Sequence, residues 1–153
     1  MVENNHRFDA SAYNIKAMSA LRKVLQNKYG FVQLYGDEGL IKKAYYPSRY
    51  KRIYNNSSTG VPFFLPSQLE EIYPKSQKYI SPKIAALLHD DIIKDDTLLL
   101  SRSGTIGKCT VASRTTVGKL FSDDVIRISF KQTYHLGYVY AFMSTDIGLT
   151  ILQ

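Results

Sequence analysis

The sequence predicts a mixed α+β fold: a single globular domain in which helices flank a mostly antiparallel or mixed twisted sheet. Three stretches favour this class. Apolar side chains recur at helical spacing over residues 9–30, short β-rich runs separated by turn residues occupy residues 97–130, and helical spacing returns over residues 136–144. Helices and strands therefore come in blocks, which fits an α+β domain better than the regular alternation of a parallel βαβ sheet.

The length and charge of the chain narrow its class. Its 153 residues are typical of one domain, so we expect residues 1–153 to form a single unit. Twenty Lys and Arg against thirteen Asp and Glu give a net charge of +7, which favours a polyanionic partner. The single cysteine, Cys109, excludes an internal disulfide, and no apolar run approaches the roughly 20 residues of a membrane span. We therefore expect a cytoplasmic protein with no membrane partner.

The first elements follow from periodicity and capping residues. A helix is predicted over residues 9–30, with Asp9 or Ser11 as its N-cap and Gly30 as its C-terminal stop. A short strand is predicted at residues 31–35. Residues 40–58 are polar, aromatic and basic without helical periodicity, so they are either strand or irregular loop.

The second half has clearer signals. A helical turn is predicted near residues 68–72. Ser81 is a good N-cap and Pro82 suits the first helical position, so a helix is predicted to about His89, burying Ile84, Leu87 and Leu88. Strands are predicted at residues 97–101, 108–112 and 125–130, and a helix at residues 136–144 with further turns over 147–152.

The stretch L-L-L-S-R-S-G-T-I-G-K-C, residues 98–109, resembles a phosphate-binding loop but has the wrong spacing for one. A nucleotide-binding loop needs four residues between its glycines and a helix after its lysine. Here two residues separate Gly104 from Gly107, and β-rich sequence follows Lys108. The stretch is predicted to be a buried strand and a tight turn into the next strand. Five of its side chains remain candidate DNA contacts: Ser101, Arg102, Ser103, Thr105 and Lys108.

The sequence shows no convincing catalytic site. The G-x-G-x-x-G fingerprint of dinucleotide binding is absent, and the three histidines and Cys109 lie apart from one another without metal-ligand spacing. Carboxylates occur as adjacent doublets, which are typical of turns and helix caps. A metal-dependent nuclease using Asp123 or Asp124 stays open as an alternative, although no acid-x-Lys element accompanies the doublet. We expect no metal, no cofactor and no catalysis.

Residues 42–54, K-K-A-Y-Y-P-S-R-Y-K-R-I-Y, form a basic stretch that contains no acidic residue. Lysine and arginine neutralise phosphates, arginine can read guanine edges, and tyrosine packs on sugars or bases. The competing interpretation is a solvated strand face whose tyrosines pack on the core. Eight residues of the basic stretch are candidate DNA contacts: Lys42, Lys43, Tyr46, Arg49, Tyr50, Lys51, Arg52 and Tyr54.

Four motifs together resemble the target recognition domain of the DNA specificity subunit of type I restriction-modification systems, which also occurs in fused type II enzymes. They are R-F-D at residues 7–9, T-G-V-P-F-F-L-P-S at 59–67, L-L-L-S-R-S-G-T-I-G-K at 98–108, and F-S-D-D-V-I-R-I at 121–128 with G-Y-V-Y-A-F-M-S at 137–144. The resemblance implies a mixed α/β domain that recognises one half of a split double-stranded DNA target. It also implies that partner subunits carry the chemistry: modification subunits methylate adenine with S-adenosylmethionine, and restriction subunits cleave.

The chain departs from that family in its extent. A complete specificity subunit carries two recognition domains, each followed by a long spacer helix, and this sequence has neither a second copy nor a heptad-patterned helix. We therefore expect residues 1–153 to be one DNA target recognition domain, either a fragment or a truncated reading frame. A protein-interaction module that binds no DNA is a further alternative.

Overall fold

The computed structural model describes residues 14–104 and 106–152. Its helices are α1 (Ile15–Leu25), α2 (Pro82–Leu87), α3 (Thr133–Met143) and α4 (Asp146–Leu152). Its strands are β1 (Ile41–Tyr45), β2 (Tyr54–Asn55), β3 (Val61–Phe64), β4 (Lys78–Ile80), β5 (Thr97–Ser101), β6 (Cys109–Val111), β7 (Leu120–Phe121) and β8 (Val125–Phe130). Short 3₁₀ turns occupy Pro66–Gln68 and His89–Asp91. The predicted α+β class is confirmed.

The strands form two four-stranded sheets rather than the one sheet that the sequence predicts. Sheet 1 has the order β1-β8-β5-β6 and is antiparallel throughout. Sheet 2 has the order β2-β4-β3-β7, in which only β3 and β7 run parallel. Residues 122–124 carry the chain from β7 in sheet 2 to β8 in sheet 1, so this turn lies where the two sheets meet.

Three apolar layers hold the elements together. Leu98 and Leu100 of β5 face α3, where Val139 and Met143 are buried against them. Leu99 points to the opposite face and packs with Phe121 and the rest of the layer between the sheets. This alternation follows from the two-residue period of a strand, and β5 is buried on both faces as a result. A third cluster joins sheet 2 to the residues around α2.

The structure confirms the predicted elements that have clear signals in adjacent residues. Strands β5 and β8 have the predicted bounds, and β6 lies within its predicted range. Ser81 caps α2, its side-chain oxygen accepting a hydrogen bond from the Ile84 backbone N–H at 3.3 Å, and Pro82 is the first helical residue. Gly104 and Gly107 both have positive φ, at 78° and 88°, in the turn that joins β5 to β6.

Several expectations are wrong. No strand forms over residues 31–35, where Phe31, Val32 and Tyr35 are exposed. Leu87 is exposed on α2, because the helix ends there and only its inner side meets the core. Sheet 2 contains three strands that the sequence does not predict, β3, β4 and β7, each of four residues or fewer.

The first helix is shorter at its C-terminus than predicted. It ends at Leu25, and the side-chain amide of Asn27 donates to the Val24 carbonyl at 2.7 Å, so the chain turns before Gly30. The helix begins after Asn14, whose side-chain oxygen accepts a hydrogen bond from the Lys16 backbone N–H at 3.1 Å. The predicted caps Asp9 and Ser11 lie outside the described residues. Among the helices that the structure describes, none is long and apolar enough to cross a membrane.

Candidate nucleic-acid interface

The turn between β7 and β8 places two carboxylates, Asp123 and Asp124, at the junction of the sheets. Arg127 on β8 holds this turn from inside. Its buried guanidinium donates hydrogen bonds to the backbone carbonyls of Phe121 at 2.7 Å and Ser122 at 3.1 Å, and to that of Val125. Burial lowers the pKa of Arg127, while the nearby Asp91 carboxylate opposes that effect. The backbone that carries the two carboxylates is thus fixed by a buried charge.

Arg52, from the basic stretch, pairs with both carboxylates. Its Nη2 donates to Asp123 Oδ1 and, at 3.0 Å, to Asp124 Oδ2. Burial alone would raise the pKa of Asp124, but the hydrogen bonds from Arg52 and Ser103 outweigh it and lower that pKa. The same carboxylates raise the pKa of Arg52 against its own burial. Arg52 and Arg102 together supply one cation for each of the two carboxylates.

Asp124 also binds the turn that follows β5. Its Oδ1 accepts hydrogen bonds from Ser103 Oγ at 2.8 Å and from Arg102 Nη2 at 3.4 Å. Its backbone carbonyl accepts from the Arg102 backbone N–H at 2.9 Å. A single aspartate therefore joins the basic stretch to the turn after β5, two segments about 50 residues apart in sequence.

Two tyrosines of the basic stretch line this cluster. The ring of Tyr46 is exposed, and the Arg102 guanidinium carbon lies 4.2 Å from its centroid, a cation–π contact. Tyr50 is half-buried, packs against the core cluster of sheet 2, and its hydroxyl has no hydrogen-bond partner among the described residues. Burial and the Asp123 charge raise the pKa of Tyr50 to about 12, so it is a neutral phenol.

Four cations of the basic stretch differ from Arg52, because they are exposed and make no ion pair with any carboxylate of residues 14–104 and 106–152. They are Lys42, Lys43, Arg49 and Lys51. Arg49 lines a shallow cavity of about 300 Å³ together with Tyr50, Arg52 and the two aspartates. Lys42 and Lys43 lie on β1, one of the two edge strands of sheet 1, where the pairing with β8 shifts register. The Lys43 ammonium is 4.2 Å from the ring centroid of Tyr45.

The remaining described candidates lie at the end of β5, beside β6 and on β2. Ser101 is buried at the end of β5, and its hydroxyl donates to the Ser103 carbonyl at 3.1 Å. Lys108 pairs with Glu70 and lines a different groove, of about 860 Å³, along β6. Tyr54 is exposed on β2, where the Lys78 ammonium is 5.3 Å from its ring centroid, and a hydrogen bond between its side chain and Arg52 helps to raise the pKa of Arg52. Thr105 lies outside the described residues.

The structure thus sorts the predicted contacts into groups. The acid pair brings together Tyr46, Arg49, Tyr50, Arg52, Arg102 and Ser103. Sequence reasoning missed the role of Arg127, although an arginine inside the apolar run V-I-R-I-S-F was a usable signal, because a charged residue in a buried strand requires partners. It also assigned the Asp123–Asp124 doublet to turn formation or metal binding rather than to arginine pairing.

The acid pair is a poor cation site. Arginine groups already bind one carboxylate oxygen of Asp123 and both carboxylate oxygens of Asp124, and those positive charges would repel a divalent ion. Within the described part of the chain, no three His, Cys, Asp or Glu side chains are grouped so that they could hold a metal ion.

Comparison with known proteins gives a likeness in structure but no match in sequence. No family model matches the sequence, and no curated protein matches it. Among solved structures, the chain is similar to the HsdS subunit from Thermoanaerobacter tengcongensis, with 17% sequence identity and a TM-score of 0.46 over 88% of this chain. The match covers 36% of that subunit, so the chain spans about a third of its length.

Proposed function

We propose that this chain binds double-stranded DNA as the target-recognition module of a restriction-modification system, and that it directs partner methyltransferase and endonuclease subunits without catalysing a reaction itself. The observation that carries the proposal is the position of Arg49 and Lys51. Both are exposed cations without a carboxylate partner among the described residues, and they flank the cluster in which the basic stretch meets the turn after β5.

The chemistry of that surface suits a phosphate backbone. A folded protein gains little from leaving cations unpaired next to a neutralised cluster, whereas each cation that reaches a DNA phosphate releases a condensed counterion. Arg49 can also read a guanine edge through its two parallel donors. Tyr46 adds an exposed ring beside Arg102, the mixture that sugar and base contacts use.

The motifs of the specificity-subunit family support the same proposal. L-L-L-S-R-S-G, residues 98–104, includes β5 and the turn that meets Asp124, and V-P-F-F forms β3. The most specific motif therefore lies at the candidate interface, with Arg102 and Ser103 in contact with the acid pair. The modification and restriction subunits are the partners that this resemblance implies.

The nuclease alternative has less support. A metal-dependent nuclease needs carboxylates directed at a cation, and Asp123 and Asp124 instead bind Arg52 and Arg102. Incubating the chain with plasmid and magnesium tests this alternative directly, and we expect no metal-dependent cleavage.

Charge reversal with a matched control tests the proposal. Arg49→Glu with Lys51→Glu should weaken binding to a mixed-sequence duplex by at least about tenfold, because two phosphate contacts are lost and two repulsions replace them. The control, Lys16→Glu with Lys23→Glu, changes net charge equally on α1, which packs against α4. Thermal unfolding followed by circular dichroism checks that both variants fold. Equal loss in both variants, or loss in neither, would contradict the proposal.

The target sequence requires a separate experiment. The domain fused to a dimerising helix is used to select bound sequences from a random DNA pool. We expect enrichment of one short motif. Recovery of sequences that share no motif would mean that the surface binds phosphate without reading bases.

A further inference from the structure

We infer that Asp124 is a positioning residue for DNA binding: an acid placed inside a basic interface in order to hold its cationic segments in one arrangement. The inference rests on the proposed function. Coulomb repulsion alone would predict the opposite effect of Asp124, because a negative charge close to DNA should weaken binding.

The geometry around Asp124 is that of a junction. Its two carboxylate oxygens and its backbone carbonyl accept hydrogen bonds from Arg52, Arg102 and Ser103, at 2.8–3.4 Å. The buried Arg127 side chain holds the backbone turn that carries Asp124. A junction of charge-assisted hydrogen bonds to a rigid turn fixes both attached segments at once.

The segments so fixed carry the exposed groups. Arg49, Tyr50 and Lys51 immediately precede Arg52, and Tyr46 lies under the Arg102 guanidinium. Without Asp124, Arg52 keeps only Asp123, and Arg102 loses its carboxylate partner. Binding DNA would then require ordering these segments at the moment of contact, and that entropy cost appears as lost affinity.

Asp123 does not duplicate this role. Its carboxylate is almost fully buried and contacts Arg52, and the hydrogen bonds to Arg102 and Ser103 go to Asp124. Asp124 is the acid of the pair that reaches both segments.

The test compares two substitutions that remove the same charge. Asp124→Asn should weaken binding to a mixed-sequence duplex by about five- to tenfold, because the lost preorganisation exceeds the gain from removing one negative charge. Asp90→Asn is the control, since the Asp90 side chain is fully exposed and its ion pair among the described residues is with His89, at 3.6 Å. It should leave affinity unchanged or slightly raised. If Asp124→Asn binds as well as Asp90→Asn, or more tightly than wild type, the inference is wrong.

Two further measurements separate positioning from loss of folding. Ser103→Ala removes one hydrogen bond to Asp124 without changing charge, and should weaken binding by about two- to threefold. In a double-mutant cycle, the loss caused by Arg49→Ala should be smaller in the Asp124→Asn background, because Arg49 is no longer held in place. Full additivity would show that Asp124 acts independently of Arg49 and would overturn the inference.

Backbone NMR order parameters give a result that needs no DNA. In Asp124→Asn, the order parameters should fall together over residues 49–53 and 102–104 while those of β5 and β8 stay unchanged. Unchanged order parameters in both segments would overturn the positioning role even if the wild-type chain binds no duplex. Failure of the wild type to bind, with order parameters altered as expected, would instead contradict the proposed function alone.

Discussion

The basic stretch, residues 42–54, and the turn around residues 101–108 have similar chemistry in sequence, and the structure separates them. Both contain lysine, arginine and hydroxyl side chains. In the turn, Arg102 pairs with Asp124 and Lys108 pairs with Glu70. In the basic stretch, Arg52 alone pairs with acids of the described residues, and four exposed cations have no such partner.

The difference shows that counting the charged residues of a segment does not give the charge that is available to a ligand, because ion pairs within the fold use part of it. Ion pairs within the fold neutralise the turn, so its arginine and lysine contribute mainly to local structure. The four cations of the basic stretch other than Arg52 are exposed and have no carboxylate partner among the described residues. On the proposed function, we therefore expect the basic stretch to make most of the phosphate contacts and the turn to support it.

The largest expected effect on stability comes from Arg127. Its hydrogen bonds hold the turn that carries Asp123 and Asp124, and both regions bind that turn. Arg127→Met should lower the free energy of unfolding by about 2–4 kcal/mol, because several buried carbonyls lose their donors. Arg114→Met, at an exposed position in the turn before β7, should change it by less than about 0.5 kcal/mol. Urea unfolding measures both. Equal effects would mean that the acid-bearing turn holds its shape without Arg127.

A second prediction compares one arginine from each region. Arg49→Ala should weaken DNA binding by about tenfold without changing stability, because its charge has no partner among the described residues. Arg102→Ala should cost about 1 kcal/mol of stability, since it removes an ion pair and a cation–π contact, and should weaken binding less than Arg49→Ala does. Fluorescence anisotropy with labelled duplex and thermal unfolding separate the two effects. If Arg102→Ala weakened DNA binding more than Arg49→Ala, the proposed difference between the two regions would be wrong.

The smallest effect is expected at Lys108, whose pair with Glu70 is about half exposed. Lys108→Met should change the free energy of unfolding by less than about 1 kcal/mol and DNA affinity by less than about twofold. The same anisotropy titration measures the affinity. A loss comparable with that of Arg49→Ala would place Lys108 in the interface after all.

Sequence reasoning found those parts of the fold that have local signals. The apolar runs of β5 and β8 and the Ser81–Pro82 start of α2 are examples, because burial on both faces and capping chemistry are visible in a few adjacent residues. Sheet 2 was missed because its strands are two to four residues long and depend on distant pairing, such as that of β3 with β7. Pro62 also makes β3 hard to predict, because proline is rare inside paired strands. In the structure β7 pairs with Phe63 and Phe64, so at Pro62 one side of β3 has no neighbouring strand.

The candidate site divides in the same way. The basic and aromatic residues were visible in sequence, but their neutralising partners were not, since Asp123 and Asp124 follow Arg52 by 71 and 72 residues. The lack of acidic residues within the basic stretch therefore does not leave Arg52 without carboxylate partners. That Lys42, Lys43, Arg49 and Lys51 contact DNA stays a prediction.

The salt dependence of DNA binding tests the central claim most directly, because it counts the cations that reach phosphates. Four contacts from the unpaired cations predict a slope of about −3.6 in a plot of log K against log salt concentration, at roughly −0.9 per contact. Replacing Arg49 and Lys51 by alanine should reduce that slope by about 1.8. A wild-type slope near −6, as if paired and unpaired cations contributed alike, or a slope that the double replacement leaves unchanged, would contradict the account.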